Sequence, residues 1–303
     1  MKEVDVAIIG GGPAGLQAAL VLSRTRKRIV VFDNPEPPRN GASHGVHNVL
    51  GLDGLLPAEI REQAWSQINV YKQAELRKEP VIDISQGEDG LFMLSTANGS
   101  QLKAKRVILA LGYVDQYPAL EGFVEAWADT IIPCPFCDGY ENRDRNWGLV
   151  ASSEMHAVHF VDLVNHWTHS AKLILNDSDL KLDAADEKRI VESGIPVYSG
   201  PITAIDQHDG KIQAVTLQTG ERVEVETLWW ALERKKTLLE QRMIESFQLE
   251  LDDMGLIKTD EEGQTAVHGL YAVGDVAEMM PSALGAMVGG NSAAFSIVRH
   301  WYA

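Results

Sequence analysis

Cysteine is nearly absent from this chain. The 303 residues hold two, and both fall in one C-x-x-C, Cys134-Pro135-Phe136-Cys137. So low a count excludes a disulfide framework, and a structural zinc centre, which takes four ligands, is left without a second pair. Two thiols paired across two residues make a small strained disulfide that a neighbouring thiolate or an electron donor opens, and Pro135 limits how far the loop relaxes. The pattern points to redox chemistry, against the alternative of two inert buried thiols. Two cysteines kept together also suit a reducing compartment, where they are catalytic more often than structural. Long apolar runs are lacking too: none reaches ~18 residues, which excludes a membrane-spanning helix. The opening Met-Lys-Glu-Val-Asp leads into a strand rather than a signal peptide, so the expectation is a cytoplasmic protein with no membrane partner. Basic residues are the third shortage. Lys and Arg number 27 against 43 Asp and Glu, a formal charge of -16 spread along the chain. That balance argues against nucleic acid and anionic membrane surfaces, and leaves room for a basic redox protein as partner.

What is present suffices for two domains with sizeable cores: 45% hydrophobic residues and 26 glycines. Val4 to Ile9 reads as a buried strand, and Gly10-Gly11-Gly12-Pro13-Ala14-Gly15 follows it directly and opens a helix over Leu16 to Ser23. Gly10 permits the tight turn, Gly12 lets backbone approach a pyrophosphate, and Gly15 lets the helix pack on the strand. A second strand, Arg28 to Phe32, ends at Asp33, about twenty residues after the glycines, where an acid accepts ribose hydroxyls. Pro35 to Gly54 reads as a loop over the carboxyl edge of the sheet that covers cofactor; in it His44 and His47 are either cofactor contacts or plain surface residues. Leu56 to Gln73 is an amphipathic helix, and Val81 to Ile84, Phe92 to Ser95 and Gln101 to Lys103 a small antiparallel sheet. Arg106 to Leu111 is another buried strand, ending at Gly112.

From Trp147 to Trp167 the order strand then helix recurs, with Lys172 to Leu175 as the next strand, so a second nucleotide-type domain is inserted in the first. Its glycines are missing. Ala151, Ser152 and Ser153 stand at the turn, and Asn176-Asp177 where a 2'-phosphate needs arginine, so NADPH is expected to bind badly. Ile195 to Val197, Ile202 to Ile205, Ala214 to Gln218 and Val223 to Leu228 are strands that complete the insert. The polar helical stretch Glu233 to Arg242 is a candidate return linker. Leu256 to Lys258 and Leu270 to Val273 follow as strands, Gly274-Asp275 closes the second, and Ser282 to Tyr302 is one long helix with small residues on one face. His156, His159 and His166 share a face by their i, i+3 and i+10 spacing. No carboxylate or Cys besides Asp162 completes a ligand set there, so a solvated face is preferred to a metal site.

Gly10 to Gly15, Cys134-Pro135-Phe136-Cys137-Asp138-Gly139 and Leu270-Tyr271-Ala272-Val273-Gly274-Asp275, in this order and at these separations, resemble the low-molecular-weight thioredoxin reductases over essentially the whole chain. The resemblance implies an α/β protein of two nucleotide-binding domains, Rossmann-like and of three-layer ββα type, the second inserted in the first. A split FAD domain (about 1 to 113 and 244 to 303) would surround a redox domain (about 118 to 238) carrying the C-x-x-C. FAD as cofactor and a homodimer are likewise implied. By the same resemblance Gly10, Gly12, Pro13, Ala14 and Asp33 hold the ADP half of FAD, Asn48 its middle, and Asp275 the ribityl or pyrophosphate region, with Gly112 and Ala283 also lining the cofactor. Cys137 would face the flavin, Cys134 attack the partner disulfide, and Asp138 serve as general acid or base for the leaving thiol. The alternative for Asp138 is a cap on a helix after the motif.

The departures from the family pattern are as informative. Ala151-Ser152-Ser153-Glu154-Met155-His156 replaces the glycine-rich NADPH turn, Leu175-Asn176-Asp177 the His-Arg-Arg phosphate clamp, and Ser282-Ala283-Leu284 the Arg-Gln-Ala near the flavin. Such changes resemble reductase-like flavoproteins that lack NADPH binding, some taking electrons from ferredoxin or another flavin, others oxidising dithiols with dioxygen. The expected activity is an FAD-dependent dithiol/disulfide oxidoreductase that acts on a thioredoxin-like protein or a small dithiol or disulfide, without NADPH as direct donor. The alternatives are a dithiol oxidase, which often carries histidine where this chain has Asp138, and a flavin-bearing redox sensor without turnover. Trp301 and Tyr302 either stack on flavin or, as preferred, form a hydrophobic helix end at a dimer contact.

Overall fold

The computed structural model describes residues 2–36, 38–177 and 179–302. The chain forms two compact units: one of residues up to Gly41, Val49–Val114 and Arg234 onward, the other of Ala42–Asn48 and Asp115–Glu233. The loop expected over Pro35 to Gly54 is thus divided between them, and Asn48, one of the expected cofactor ligands, belongs to the second.

The first unit is built on a seven-stranded sheet. Ile29–Phe32 is buried at every position, and Lys2–Ile9 is buried from Val6 to its end. Near-continuous apolar runs of this kind are what a parallel sheet covered on both faces requires. Lys2–Ile9 pairs in parallel with Ile29–Phe32 on one side and with Gln101–Leu109 on the other, and Leu270–Ala272 extends the sheet beside Val107–Leu109. Gln101–Leu109 also pairs antiparallel with Phe92–Thr96 at its start. The two segments read separately from the sequence, Gln101 to Lys103 and Arg106 to Leu111, are therefore one strand. Lys105 and Arg106 interrupt the apolar run there, but the Lys105 ammonium leaves the sheet to meet Asp5 and Glu3. An edge strand that polarity hid, Ala74–Arg77, completes the parallel part.

Helices Pro13–Arg24 and Ala283–Arg299 pack against each other on this sheet. The small-residue face expected on the second helix is real: Ala286, Gly290, Ala293 and Ala294 are buried. A Cβ at Gly290 would lie 2.0 Å from the Ala14 carbonyl oxygen, so only glycine allows this approach. The chain returns to the first unit at Arg234, within the candidate linker Glu233 to Arg242, and the helix there begins at Leu238 and runs past Arg242 to Phe247. Thr237 accepts from the Glu240 amide while the Glu240 carboxylate accepts from the Thr237 amide, a reciprocal cap that starts the helix Leu238–Phe247. Beside its charged residues Glu240, Arg242 and Glu245 the helix carries the apolar Leu239 and Met243, which enter the core.

The second unit carries a five-stranded, wholly parallel sheet in the order Val197–Ser199, Ala171–Leu175, Trp147–Ala151, Thr227–Trp230, Ile131–Ile132. A three-stranded antiparallel sheet, Ile202–His208, Lys211–Leu217 and Arg222–Glu224, lies beside it in sequence. The strand expected over Val223 to Leu228 is broken at Val225-Glu226, and its halves serve these two different sheets. Helix Ala184–Ser193 was not anticipated, although Asp183 caps it by accepting from Ala185 and Asp186 amides at 2.8 Å and Gly194 ends it at φ +70°.

Candidate active site

In the first unit the glycine turn has the shape a dinucleotide needs. Gly10 sits at φ +117°, and a Cβ there would meet the Ala110 carbonyl oxygen at 2.0 Å. Gly15 lies against the Gly10 carbonyl oxygen, 1.9 Å from where its own Cβ would be. Gly12 differs from both: a Cβ would touch nothing within 4 Å. It is the N-cap of helix Pro13–Arg24, it offers no side-chain cap, and Pro13 follows at the first position. The helix N-terminus and its dipole thus face open space, which suits a phosphate. Asp33 closes the turn by accepting from the Gly11 amide at 3.1 Å, and its other carboxylate oxygen pairs with Arg61 on helix Pro57–Asn69. Arg61 is a site residue the sequence did not reveal, because nothing in the helix pattern singles it out.

The other loops at this end of the sheet are fixed by arginine. Tyr113, next to Gly112 at φ +62°, lies between the guanidinium groups of Arg39 and Arg234, each 4.5 Å from the ring centroid. Arg234 donates to the carbonyl oxygens of Asp275 at 3.3 Å, Glu278 at 3.1 Å and Met279 at 3.0 Å, so it holds the turn that presents Asp275. Ala283 is the first residue of the last helix, and Ser282 caps it. Trp301 lies under Lys27, whose Nζ is 3.5 Å from the ring centroid. Lys27 precedes strand Ile29–Phe32, so Trp301 sits at the end of that strand opposite the glycine turn.

In the second unit Cys134 is the N-cap of the one-turn helix Pro135–Asp138. Its carbonyl accepts from the Cys137 and Asp138 amides, both at 3.1 Å, which wraps the C-x-x-C on itself. Both cysteines are half-buried thiols. The Cys137 side chain hydrogen-bonds the Cys134 sulfur and holds that thiol below its ordinary range; the Cys137 and Phe136 amides act the same way, against burial and the Asp138 charge. Asp138 is the last residue of the helix and turns follow it, so the alternative of a cap has no helix to serve.

Two asparagines anchor this turn. The Asn48 amide, at φ +64°, donates to the Phe136 carbonyl at 2.6 Å. Asn142 is 3% exposed; it donates to the Asp138 and Asp129 carbonyls at 3.0 and 3.1 Å and accepts from Arg145 and Thr227. Gly139 is needed for fit: a Cβ would fall 2.3 Å from the Pro135 oxygen and 2.7 Å from the Trp167 ring.

The second nucleotide turn is built differently. Ser153 caps helix Glu154–Leu163 with its own hydroxyl, accepting from the His156 amide at 3.2 Å. Glu154, Asp183 and Asp186 bring carboxylate oxygens within 4.8 Å of one another beside it. Asn176 is spent on structure, accepting from the Ile202 amide at 2.7 Å. The expected solvated histidine face is corrected in part. His156 stacks on Phe160 with centroids 5.4 Å apart, His159 meets the edge of Trp229, and His166 lies beyond the helix end at Leu163.

The chain matches the family described as pyridine nucleotide-disulphide oxidoreductase over residues 4–290. It is 29% identical to the thioredoxin reductase sirT of Leptosphaeria maculans, over 95% of this chain and 91% of that protein. Among solved structures it resembles a putative thioredoxin reductase, TrxB, of Bacillus anthracis (TM-score 0.90, 28% identity, 98% of each chain). An oxidoreductase from Agrobacterium tumefaciens is similarly related (TM-score 0.88, 32% identity, 99% of each chain).

Proposed function

The chain belongs to the pyridine nucleotide-disulphide oxidoreductase family, and from that premise we propose a thioredoxin reductase-like flavoprotein in which FAD and the Cys134–Cys137 pair exchange electrons without NADPH as direct donor. The observation that carries the reading is the contrast between the two nucleotide turns. At the first, Gly12 leaves open space before an uncapped helix N-terminus. At the second, a serine hydroxyl occupies the cap and three carboxylates gather beside it, where a ligand bearing phosphates would meet like charge.

FAD supplies two-electron redox chemistry when bound, and the first turn fits it: Gly10, Gly12, Pro13 and Ala14 would cradle its pyrophosphate, with Asp33, Gly112, Asp275 and Ala283 along its length. Cys134 is the nucleophile toward a disulfide partner, since the Cys137 hydrogen bond favours its thiolate. Its sulfur bonds to one partner sulfur as the partner's S–S bond breaks. Asp138 gives the leaving thiolate its proton, and Cys137 then displaces the partner from Cys134 and restores the enzyme disulfide. A thioredoxin-like protein or a small disulfide is the partner class, and a homodimer is the assembly.

Anaerobic flavin-loaded protein mixed with millimolar NADPH or NADH tests the donor. No bleaching of the flavin by either nucleotide, followed by bleaching with a dithiol or with reduced ferredoxin, supports the reading. Bleaching by a nucleotide within seconds overturns it and makes the protein an ordinary pyridine-nucleotide reductase.

A further inference from the structure

Within the second unit a cavity of about 270 Å³ opens beside the redox helix, on the side of Asp138 rather than of the sulfurs. Asp138, Glu141 and Asn142 line it from the redox turn, and His44 and His47 line it from the segment Ala42–Asn48. The charged groups on the remaining walls are already engaged. Lys211 pairs with Asp129, and Arg145 donates to the Asn142 side chain at 2.7 Å. His47 differs from these: its Nε2 lies 3.6 Å from the Glu141 carboxylate, its side chain is 25% exposed, and an imidazole carries both a donor and an acceptor nitrogen. Within the same segment the Asn48 side chain donates to the Phe136 carbonyl and ties the segment to the redox turn. The polar walls and the volume suit several water molecules rather than an apolar ligand.

We propose that this cavity is the proton port of the redox centre and that His47, oriented by Glu141, exchanges protons between solvent and Asp138. The assignment rests on Asp138 being the acid-base group of the proposed function. Two protons must accompany the two electrons that a pair of enzyme thiolates gives to a partner disulfide. At each of the two partner thiolates released, Asp138 loses its proton to sulfur, His47 imidazolium returns one through cavity water, and solvent reprotonates His47. When a substrate dithiol is oxidised instead, both protons leave by the same route. His47 is a relay group and touches neither sulfur nor cofactor in this account, so its removal slows proton exchange without removing the nucleophile.

Three variants test this in flavin-loaded protein: His47→Ala, Glu141→Gln and Asp138→Asn. The measurement is the stopped-flow rate of flavin bleaching by dithiothreitol across pH 5.5 to 9, with and without added imidazole. His47→Ala is expected to slow the reaction roughly tenfold to a hundredfold, below the full effect of losing a general acid. It should also alter the pH profile of the rate and regain rate with imidazole, which is small enough to enter the cavity. Glu141→Gln, which removes the carboxylate facing Nε2, should slow the reaction less than His47→Ala. A His47→Ala protein with unaltered rate and pH profile, or one with intact flavin absorbance whose lost rate imidazole does not restore, overturns the relay. If Asp138→Asn reacts at the unmodified rate, the acid-base role of Asp138 fails instead, a result separate from either outcome at His47.

Discussion

The sharpest test of the cofactor assignment is a substitution that the protein tolerates and the dinucleotide does not. Gly12→Val meets that description. A Cβ at Gly12 touches nothing within 4 Å, and φ −82° with ψ −175° is extended backbone that any residue adopts. Two small terms act on folding. A residue other than glycine is a somewhat poorer N-cap, worth up to about 1 kcal/mol, and restricting the unfolded chain returns about 0.4–1 kcal/mol. They nearly cancel. For the cofactor, a branched side chain displaces the pyrophosphate from the helix N-terminus. Losing two charge-assisted hydrogen bonds at about 1.5–3 kcal/mol each weakens FAD by roughly two to four orders of magnitude. Gly15→Val is the contrasting variant, because its Cβ falls 1.9 Å from the Gly10 carbonyl oxygen and the turn itself must break. The flavin-free forms of all three proteins would be melted by circular dichroism and then titrated with FAD by absorbance and fluorescence. The expected pattern is Gly12→Val folded like the parent but colourless, and Gly15→Val strongly destabilised. Stoichiometric flavin in Gly12→Val, or a melting temperature depressed as far as in Gly15→Val, would refute the placement of the pyrophosphate.

Cysteine chemistry supplies two further expectations. On the proposed roles, in which Cys137 is the flavin-facing thiol, Cys134→Ser should give long-wavelength charge-transfer absorbance and Cys137→Ser should not; the reverse pattern would exchange the roles of the two sulfurs. Alkylation of Cys134 by iodoacetamide follows its thiolate, so the rate should persist to lower pH than for an ordinary thiol and collapse only below the lowered pKa. Because the Cys137 side chain is the leading cause of that lowering, Cys137→Ala should move the inflection upward. Asp138→Asn removes a charge that raises the pKa and should move it downward. An inflection that ignores both changes would mean that neither neighbour controls the nucleophile.

Much of the first turn was legible because its shape is carried by backbone. Gly10, Gly12 and Gly15 announce a turn whose shape depends on missing side chains, and Asp33 follows at the strand end where the sheet geometry puts it. The groups that escaped notice act at long sequence separation and carry no local pattern. Arg61 meets Asp33 across 28 residues, Arg234 meets Asp275 across 41, and Asn142 meets Thr227 across 85. Charge hid one whole element for a related reason. Ala184–Ser193 exposes a charged face, and only its capping residue, Asp183, marks where it begins.

The two turns show how far one strand–turn–helix plan diverges within a single chain. Both place a helix N-terminus at the carboxyl end of a central parallel strand, Lys2–Ile9 in one unit and Trp147–Ala151 in the other. An N-terminus leaves backbone donors that must be satisfied by a ligand, by water or by a cap. Gly12 supplies no side-chain cap to the first helix, as the proposed phosphate contact requires. Ser153 supplies one, and Glu154 accepts from the Asp183 amide at 2.8 Å, so the second unit uses that carboxylate to fasten one helix start to the other. A phosphate entering there would have to displace the serine from the His156 amide and approach three carboxylates at once. Restoring glycine at 151 to 153 alone would therefore not restore a phosphate site. Glu154, Asp183 and Asp186 would also have to be neutralised, and the loss of the Asp183 cap would cost helix Ala184–Ser193 about 0.5–2 kcal/mol. The second turn is thus built around its own side chains, in hydrogen bonding as well as in charge.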